Sequence, residues 1–368
     1  MKLLFVVTED WYFVSHRLSL AVAAKKSGFD VAVATRASDD SDTIRNAGIR
    51  LIPFNLSRRH GNPLRELSAL IRLYYRERPD IVHHVALKPI VYGSLSAKIA
   101  GVPAQVNAVA GLGWLFSTES GLMRMVRPAV RKILTWLLNA KGTLTIVQNP
   151  EDRALLARYL PQTRLRLIRG AGVNPASYTP ASPPSGPVRI VLAARMLWDK
   201  GVGDFVEAAR ILTEEGICAR FVLVGDPDPG NPASIPVEVL RTWDGANGIE
   251  WWGRRSDMPA VFQSAHIACL PSAYKEGLPK VLLEAAACGL PMVTTDAPGC
   301  REVVRHGENG LLVPVHDVDA LARALRRLIQ EPELRAAMGR RGREIVLEEF
   351  SEDRIIAETL AVYHELTL

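Results

Sequence analysis

Two series of short apolar runs, separated by a charge-free segment, most constrain how this chain can fold. The runs of the first series lie at 3–7, 31–34, 49–52, 81–85, 104–109, 143–147 and 165–168. Those of the second lie at 188–194, 220–224, 249–252, 266–270 and 291–295. Amphipathic stretches alternate with them. Because continuous apolar strands alternating with helices indicate a parallel sheet covered on both faces, each series predicts a doubly wound α/β domain.

The segment between the two series marks the domain boundary. Residues 170–187, GAGVNPASYTPASPPSGP, are rich in Gly, Pro and Ser and carry no charge, which is typical of a linker. We predict an N-terminal domain over 1–170, a linker over 171–187, a C-terminal domain over 188–350 and a C-terminal helix over 351–368 that packs back toward the first domain. Doubly wound domains bind ligands at the carboxyl ends of their strands, so we expect a cleft between two facing domains.

Composition and charge narrow the function classes. Of the 368 residues, 48% are apolar and 23% charged, as in an ordinary globular protein. Residues 1–180 hold 25 Lys and Arg against 12 Asp and Glu, whereas 181–368 hold 20 against 27, so the first half is expected to meet an anion. The four cysteines lack CxxC spacing, which argues against a zinc site or a disulfide framework and favours the cytosol. The missing GxGxxG argues against a dinucleotide oxidoreductase, and no nucleic-acid-binding module is recognisable.

The strongest single motif is LPSAYKEGLPKVLLEAAACGLPMVTT at 270–295. Glu276 ends a polar loop, Pro279 suits the first turn of a helix, and Glu284 follows eight residues after Glu276. A helix N-terminus can hold a phosphate or a sugar oxygen. A carboxylate within LLEAAA needs a polar partner, which favours a binding role for Glu284 over a solvated position. The alternative for Glu276 is a capping acid.

These residues carry a family resemblance. EGLPKVLLEAAACGLPMVTTD resembles the E-x7-E segment of retaining family 4 glycosyltransferases, which have the GT-B fold of two Rossmann-like domains. Further segments follow in family order: GVNPASYTP, ARMLWDKGVGDFVEAA, FVLVGDPDPGNPASIP, WWGRRSDMPAVFQSAHIACLPS and PGCREVVRHGENGLLVP. The segment TEDWYFVSHRLSLA resembles the first loop of the subgroup that acts on undecaprenyl-diphosphate-linked acceptors.

The resemblance implies roles on the donor side. Arg195 and Lys200 would clasp the donor diphosphate, so that no metal is needed, because two cations stabilise the charge of the leaving group. Glu276 would lie near the donor sugar and its anomeric centre, and Glu284 would hold the ribose hydroxyls. The remaining positions that would border the donor are Gly225, Arg254, Gly277, Leu278 and Pro279.

The acceptor side is expected in the first half. His16 follows the first strand, either with a catalytic task or as a plain residue at a helix start. Lys88 opens a helix after a strand and is expected to meet an acceptor phosphate. Gly111 and Gly113 stand where several family members have a His, which argues against a His-assisted step there. Their backbone N–H groups would instead cradle a diphosphate, unless they only form a tight turn.

The stretch 119–142 predicts a basic amphipathic helix. Its apolar stripe, which includes Ile133 and Leu134, suits burial against a sheet. Cations and an aromatic residue lie off the stripe, an arrangement typical of helices that contact anionic membranes. The residues predicted to touch the membrane are Arg124, Arg127, Arg131, Lys132 and Trp136.

The sequence therefore predicts a retaining, metal-independent glycosyltransferase without a cofactor. It would move a hexose or N-acetylhexosamine from a nucleotide sugar, most simply a UDP-sugar, to a lipid-diphosphate-linked saccharide in cell-surface glycan assembly. We expect it in the cytoplasm, at the inner face of the membrane, without nucleic-acid partners. The alternative is a GT-B type UDP-sugar epimerase.

Overall fold

The chain forms two compact α/β units. The computed structural model describes residues 1–57, 61–109, 121–273 and 277–367, with 121–129 as backbone only. One unit comprises Met1–Ala171 together with Arg354–Leu368, and the other comprises Gly172–Asp353. In each, the named strands pair in parallel and helices alternate with them along the chain, which confirms the predicted doubly wound fold class.

The first unit is built on a seven-stranded sheet of order β3-β2-β1-β4-β5-β6-β7. Its strands are β1 Lys2–Glu9, β2 Asp30–Arg36, β3 Arg50–Pro53, β4 Ile81–Val85, β5 Ala104–Val109, β6 Thr143–Val147 and β7 Leu165–Leu167. Its helices within 1–171 are α1 Asp10–His16, α2 Leu18–Lys26, α3 Ser41–Asn46, α4 Pro63–Glu77, α5 Leu87–Ala100, α6 Gly121–Leu138 and α7 Pro150–Ala157, with a 3-10 turn at Gln162–Arg164.

The second unit is built on a six-stranded sheet of order β10-β9-β8-β11-β12-β13. Its strands are β8 Val188–Ala193, β9 Ala219–Val224, β10 Ile249–Trp251, β11 Ile267–Leu270, β12 Met292–Thr295 and β13 Gly310–Val313. Its helices are α8 Val202–Glu214, α9 Val237–Trp243, α10 Met258–Gln263, α11 Lys280–Ala287, α12 Pro298–Val303, α13 Val318–Gln330 and α14 Pro332–Glu349, with a 3-10 turn at Trp198–Lys200. A last helix, α15 Glu352–Glu365, follows.

Burial on both faces explains why the strands are continuously apolar. In β1, Leu3 and Phe5 join one core cluster, whereas Leu4 and Val6 join the cluster on the opposite face. Successive side chains of a strand point to opposite faces, so a sheet covered on both sides needs apolar residues at every position.

Each predicted apolar run coincides with an observed strand, but strand β13 was not predicted. Its sequence GLLV is short and begins with glycine directly after the loop-like HGEN. A Cβ at Gly310 would lie 2.3 Å from the carbonyl oxygen of Met292 in the neighbouring strand. The glycine therefore marks a close approach of two backbones rather than a loop.

The C-terminal helix α15 supplies part of the core of the first unit. Ile355, Val362 and Tyr363 are buried in the same cluster as Leu3 and Phe5 of β1. The Tyr363 hydroxyl lies 2.6 Å from Nδ1 of the buried His83 in β4. The core of the first unit is therefore completed by residues from the end of the chain.

A second buried histidine, His84, is fully hydrogen-bonded. Its Nδ1 lies 2.8 Å from Oδ1 of Asn107, and its Nε2 lies 2.9 Å from the Tyr74 hydroxyl. Because an amide oxygen can only accept, Nδ1 carries the proton and Nε2 accepts from Tyr74. Burial lowers the pKa of His84 to about 4, so the ring is neutral in the folded protein.

We expect His84 to make the stability of the first unit depend on pH. An unfolded histidine titrates near pH 6.5, so the stabilisation is complete above that value and is lost as the pH falls toward 4. Each such proton costs about 1.4 kcal/mol per pH unit. Denaturant unfolding between pH 4.5 and 7.5 measures how the free energy of unfolding changes with pH. In His84→Leu, this change per pH unit should be smaller than in the wild type by the equivalent of nearly one proton. The same change at the exposed His364 is the control, and an unchanged slope in His84→Leu would contradict the assignment.

Candidate functional site

The second sheet reverses its strand order at β8. The chain runs from β8 to β9 and β10 on one side and returns to β11 on the other side of β8. The loops that leave β8 and β11 therefore diverge and open a crevice at the carboxyl ends of the strands. The described parts of these loops, at 194–201, 271–273 and 277–279, hold most of the predicted donor-side residues.

The loop after β8 carries both predicted diphosphate-binding cations. Nη1 of Arg195 lies 2.6 Å from Oδ2 of Asp228, and the arginine side chain is 38% exposed. Lys200 ends the 3-10 turn Trp198–Lys200 and is partly exposed. The ion pair orients the guanidinium while leaving part of it accessible to a ligand.

The loops after β8 and β11 are bonded to each other. The amide of Ala273 donates to the carbonyl oxygen of Asp199 at 3.0 Å, and the Ser272 hydroxyl donates to the same oxygen at 3.3 Å. Gly201 has φ +72°, and a Cβ there would lie 1.9 Å from the carbonyl oxygen of Pro271. This contact fixes the Arg195–Lys200 turn beside the segment that leads to α11.

Helix α11 brings Glu284 into the protein interior. Gly277, Leu278 and Pro279 are buried ahead of it, and Pro279 is its N-cap. Nζ of Lys280 lies 3.7 Å from Oε1 of Glu284. Burial raises the pKa of Glu284, and the charge of Lys280 together with a hydrogen bond from Tyr178 opposes that rise. The predicted need for polar partners at Glu284 is thus confirmed.

Glu276 lies outside the described residues, so its predicted place beside the donor sugar stays a prediction. The segments on both sides of it are fixed, by the Asp199 bonds before it and by α11 after it.

The end of β9 approaches the loop after β8 through Gly225. Its φ is +137°, and a Cβ there would lie 1.9 Å from the carbonyl oxygen of Ala194. Its amide donates to the carbonyl of Gly253 at 2.8 Å. Arg254 is exposed, and its amide donates to Oδ1 of Asp226 at 3.0 Å. Gly225 and Arg254 thus lie on strand ends and loops at the same edge of the sheet as Arg195.

The first sheet has its own reversal point between β1 and β4. Asp10 is buried directly after β1, and its carboxylate accepts hydrogen bonds from the Ser38 amide at 2.6 Å and the Ser41 hydroxyl at 2.9 Å. Burial alone would raise the pKa of Asp10, but the hydrogen bonds from Ser38, Ser41 and the Trp11 amide outweigh it and lower the pKa. Asp10 therefore anchors the start of α1.

His16 does not stand at a helix start, as the sequence had suggested. It is the last residue of α1, and Arg17 interrupts the helix with φ −135° before α2 begins. The helix begins earlier because Asp10 already turns the chain at the end of β1. The His16 ring stacks on Tyr12, with the ring centroids 4.2 Å apart.

Lys88, in the first turn of α5, already has acidic and carbonyl partners. Its Nζ lies 2.8 Å from Oε2 of the buried Glu66 and donates to the carbonyl of Ser57 at 2.5 Å. An acceptor phosphate would have to share the lysine with Glu66. Gly111 and Gly113, the other acceptor-side candidates, lie outside the described residues.

Helix α6 buries only part of its predicted apolar stripe. Leu134, Leu137 and Leu138 are buried, whereas Ile133 is 53% exposed, so its assignment to the buried stripe is wrong. Ile133 is exposed because it lies on the edge of the stripe, next to the exposed Lys132. Arg124 and Arg127 fall in the part of α6 that is described only as backbone.

A basic and aromatic surface lies on α6 and its neighbours. Trp136 is 51% exposed, and Nζ of Lys98 sits 3.7 Å from the centroid of its ring. Nη1 of Arg131 donates to the Tyr159 hydroxyl at 3.2 Å. A cavity of about 760 Å³ opens here; its lining residues are Lys98, Arg131, Lys132, Thr135, Trp136, Asn139, Ala140 and Tyr159.

Neither a membrane-spanning helix nor a metal-holding cluster occurs among the described residues. In that part of the chain no helix is long and apolar enough to cross a bilayer. Nor do three or more His, Cys, Asp or Glu side chains gather there in a way that could hold a metal ion.

Two residues of this site escaped the sequence analysis. Asp228 orients Arg195, and Tyr178 packs against the core cluster that contains Leu283 of α11. Both lie in segments that the analysis had singled out, FVLVGDPDPGNPASIP and GVNPASYTP. The only signal was the position of a polar residue within each segment, because the contacts join distant parts of the chain.

Comparisons with known proteins agree with this architecture. Residues 187–331 match the family model described as glycosyl transferases group 1, and residues 2–149 match the model described as glycosyl transferase 4-like.

Relatives with assigned reactions and a solved structure span most of the chain. An N,N'-diacetylbacillosaminyl-diphospho-undecaprenol alpha-1,3-N-acetylgalactosaminyltransferase of Campylobacter jejuni is 26% identical over 94% of each chain. A UDP-Gal:alpha-D-GlcNAc-diphosphoundecaprenol alpha-1,3-galactosyltransferase of Escherichia coli is 27% identical over 73% of this chain and 71% of its own. HepE of Anabaena, crystallised with UDP-glucose, has a TM-score of 0.80 at 20% identity and covers 98% of this chain and 99% of its own.

We expect Gly201→Ala to destabilise the second unit. The added Cβ would meet the Pro271 carbonyl oxygen, and such overpacking costs about 2 kcal/mol, or roughly 4–8 °C in Tm for a domain of this size. Gly216→Ala is the matched control, since Gly216 also has positive φ (+78°) but no atom within 4 Å of the added Cβ. Thermal unfolding should place Gly201→Ala below Gly216→Ala by that margin; equal Tm values would mean that the two loops are not held at this point.

Proposed function

Since the chain belongs to the glycosyltransferases, its halves matching the 4-like and group 1 family models, we propose that it is a retaining enzyme that uses UDP-sugars. It moves a hexose or N-acetylhexosamine to a hydroxyl of a lipid-diphosphate-linked saccharide. The relatives named above are transferases, so the alternative of a UDP-sugar epimerase gains no support.

The paired cations after β8 carry the proposal. Arg195 and Lys200 lie in one loop, 194–201, which leaves β8 at the reversal point of the second sheet, where doubly wound domains bind their ligands. A leaving nucleoside diphosphate gains negative charge as the sugar departs, and an arginine fork with a lysine stabilises that charge. We propose that these two side chains do the work for which other transferases use a divalent metal.

Glu284 is proposed to bind the ribose of the donor. Its carboxylate is buried but kept polar by Lys280 and Tyr178, so an oxygen remains suited to accept from ribose hydroxyls. Complexes of HepE, a protein of the same fold, with UDP and with UDP-glucose support uracil as the base of the donor. The backbone of Gly277 to Pro279 would face the sugar and the diphosphate, and Gly225 and Arg254 the nucleotide.

The proposed reaction needs no protein nucleophile. The acceptor oxygen attacks the anomeric carbon from the face that the diphosphate leaves. The bond from the anomeric carbon to the phosphate oxygen breaks with its electrons on that oxygen, which takes the acceptor proton. Glu276 would position the donor sugar, and the configuration at the anomeric carbon is retained.

The first unit is proposed to hold the acceptor. The relatives from Campylobacter jejuni and Escherichia coli act on diphospho-undecaprenol-linked sugars, and the TEDWYFVSH segment here resembles that subgroup. His16 ends α1, the helix that follows β1, and either takes part in catalysis or only ends that helix. Lys88 would reach an acceptor phosphate by sharing its charge with Glu66.

We propose that α6 rests on an anionic membrane at the cytoplasmic face. Ile133 and Trp136 are exposed beside the cations Lys98, Arg131 and Lys132. Apolar side chains surrounded by basic ones suit the headgroup region, where each cation adds about 1 kcal/mol of attraction. The diphosphate of a lipid-linked acceptor would be met at the same surface.

Calorimetry with UDP, GDP and ADP tests the donor site. We expect UDP to bind most tightly, also in excess EDTA, and Arg195→Ala and Lys200→Ala each to weaken it about 10- to 100-fold, since a hydrogen bond to a charged group contributes about 1.5–3 kcal/mol. Arg210→Ala is the control, because Arg210 pairs with Glu207 and Glu214 on the surface of α8. UDP affinity that is unaffected by Arg195→Ala and Lys200→Ala, or lost in EDTA, would contradict the assignment.

Vesicle sedimentation tests the membrane contact. Reversing the charge in the double variant Arg131→Glu, Lys132→Glu should reduce binding to vesicles rich in phosphatidylglycerol at least tenfold, because two attractive charges become repulsive. Binding to phosphatidylcholine vesicles should be weak throughout. Lys26→Glu, on the exposed side of α2, is the matched control. Equal binding of the double variant and the wild type would refute the contact.

A further inference from the structure

A cavity of about 700 Å³ lies in the second unit, apart from the proposed donor site. Its lining includes His266 and Pro291, which directly precede the strands β11 and β12. The cavity therefore lies at the amino ends of these strands, whereas the loop that carries Arg195 and Lys200 leaves the carboxyl end of β8. Its volume is that of a site for a small molecule.

The cavity wall between Tyr178 and Pro184 is fixed by hydrogen bonds, although its composition predicted a linker. Nη1 of Arg343, in α14, donates to the carbonyl of Tyr178 at 2.9 Å. The amide of Arg189 donates to Nδ1 of His266 at 3.0 Å, so Nε2 carries the proton and donates to the carbonyl of Pro184 at 3.1 Å. The wall is therefore in place before any ligand arrives.

Two arginines of α14 line the cavity and bond to backbone carbonyls. Nη1 of Arg335 donates to the carbonyls of Leu328 and Ile329 at 2.7 and 3.1 Å. Nη1 of Arg343 likewise donates to two carbonyls, one of them that of Tyr178. A guanidinium group has five N–H donors, so both arginines keep donors for a ligand. Burial lowers the pKa of Arg335, because water is partly excluded from its charge.

A third arginine of α14, Arg340, is exposed at the cavity, and its guanidinium has no partner among the described residues. It lies one helical turn from Arg343, and like charges at that spacing repel each other. Among the described residues that line the cavity, Glu344 is the only acid, and it pairs with Nη1 of Arg341 at 3.0 Å. The three arginines of the lining thus lack a carboxylate partner within the described chain, which favours an anionic ligand.

Much of the remaining lining is apolar. The exposed Leu347 of α14 borders the cavity, and prolines form much of the opposite wall. The arginines and apolar residues of α14 recur every three or four positions, so they share one face of the helix. Cations beside an apolar wall match a molecule that has an anionic head and a hydrocarbon chain. The apolar lining includes Pro180, Pro183, Leu290, Pro291, Ala336 and Leu347.

We propose that this cavity binds a single-chain amphiphile that ends in a phosphate, with the phosphate near Arg335, Arg340 and Arg343 and the chain along the apolar wall. Three guanidinium groups suit a phosphate because it carries up to two charges and three acceptor oxygens. The same head occurs on a free alkyl or prenyl phosphate and on such a lipid within a bilayer. Binding here is independent of the donor site, which lies at the opposite edge of the sheet.

Calorimetry with dodecyl phosphate, below its critical micelle concentration, tests the site. We expect inorganic phosphate to bind about 100-fold more weakly, because it lacks the chain, and dodecyl maltoside about tenfold more weakly, because its head is neutral. Arg340→Gln should weaken the binding of dodecyl phosphate about tenfold, and Ala336→Trp should do the same by filling the space of the chain. Arg323→Gln is the matched control, since Arg323 is an exposed arginine of α13 outside the cavity.

Three results would overturn the proposal. If Arg340→Gln and Ala336→Trp both bind dodecyl phosphate as tightly as Arg323→Gln does, the cavity is not the site. If inorganic phosphate or dodecyl maltoside binds as tightly as dodecyl phosphate, the ligand is not an anionic amphiphile. If saturating UDP displaces dodecyl phosphate, the amphiphile occupies the donor site instead.

Vesicles identify the source of the ligand. The double change Arg131→Glu, Lys132→Glu is used as the background, because it removes the proposed contact of α6 with membranes. Sedimentation with phosphatidylcholine vesicles that contain a prenyl phosphate should then depend on Arg340 if the amphiphile is taken from a bilayer. If only soluble dodecyl phosphate binds in an Arg340-dependent way, the ligand is a free amphiphile. Both results support the site, whereas vesicle binding that is equal in Arg340→Gln and Arg323→Gln, together with no binding of dodecyl phosphate, contradicts it.

Discussion

Burial of both faces of each parallel sheet is the constraint on which the rest of this molecule depends. Strands such as β1 and β8 place apolar side chains in clusters on either face. Polar side chains that bind ligands are therefore expected beyond the strand ends, and parallel strands end at the same edge of the sheet. Where the order reverses, at β8 and at β1, diverging loops create room there. Arg195 and Lys200, the proposed diphosphate-binding cations, lie in the loop that follows β8.

The sequence allowed prediction of those parts of the site that lie in contiguous segments. Arg195 and Lys200 lie in one loop and were assigned by the family resemblance of that segment, whereas residue type alone indicated that Glu284, in an apolar helix, needs a polar partner. The other strands were predictable from residue type and spacing. Strand β13 was not, because its first residue, Gly310, made the segment resemble a loop. Asp228 and Tyr178 were not predictable, because Asp228 pairs with Arg195, 33 positions earlier, and Tyr178 packs against the distant core cluster that contains Leu283. For Tyr178, the composition of the surrounding segment predicted a linker and not a contact with the core of the second unit.

Buried ionisable groups in this chain are handled in different ways, and the difference separates scaffold from site. His84 is kept neutral between a donor and an acceptor, and Asp10 is kept charged by hydrogen bonds from Ser38, Ser41 and a backbone amide. Both are satisfied within the protein. Glu284 is also deeply buried, yet its pKa is raised despite two favourable partners. A carboxylate left less than fully stabilised by its own protein gains most from a ligand that donates hydrogen bonds.

The chain passes between the two units twice, at 171–172 and again at 353–354. Tyr363 and Val362 therefore reach the core of the first unit only after the whole second unit has been synthesised. During translation, most of the first unit leaves the ribosome exit tunnel first. The second unit follows, and only then does the helix that completes the first unit emerge. The usual order of N-terminal domain before C-terminal domain is thereby inverted for the final packing step, and His83 meets Tyr363 only after the second unit has been translated.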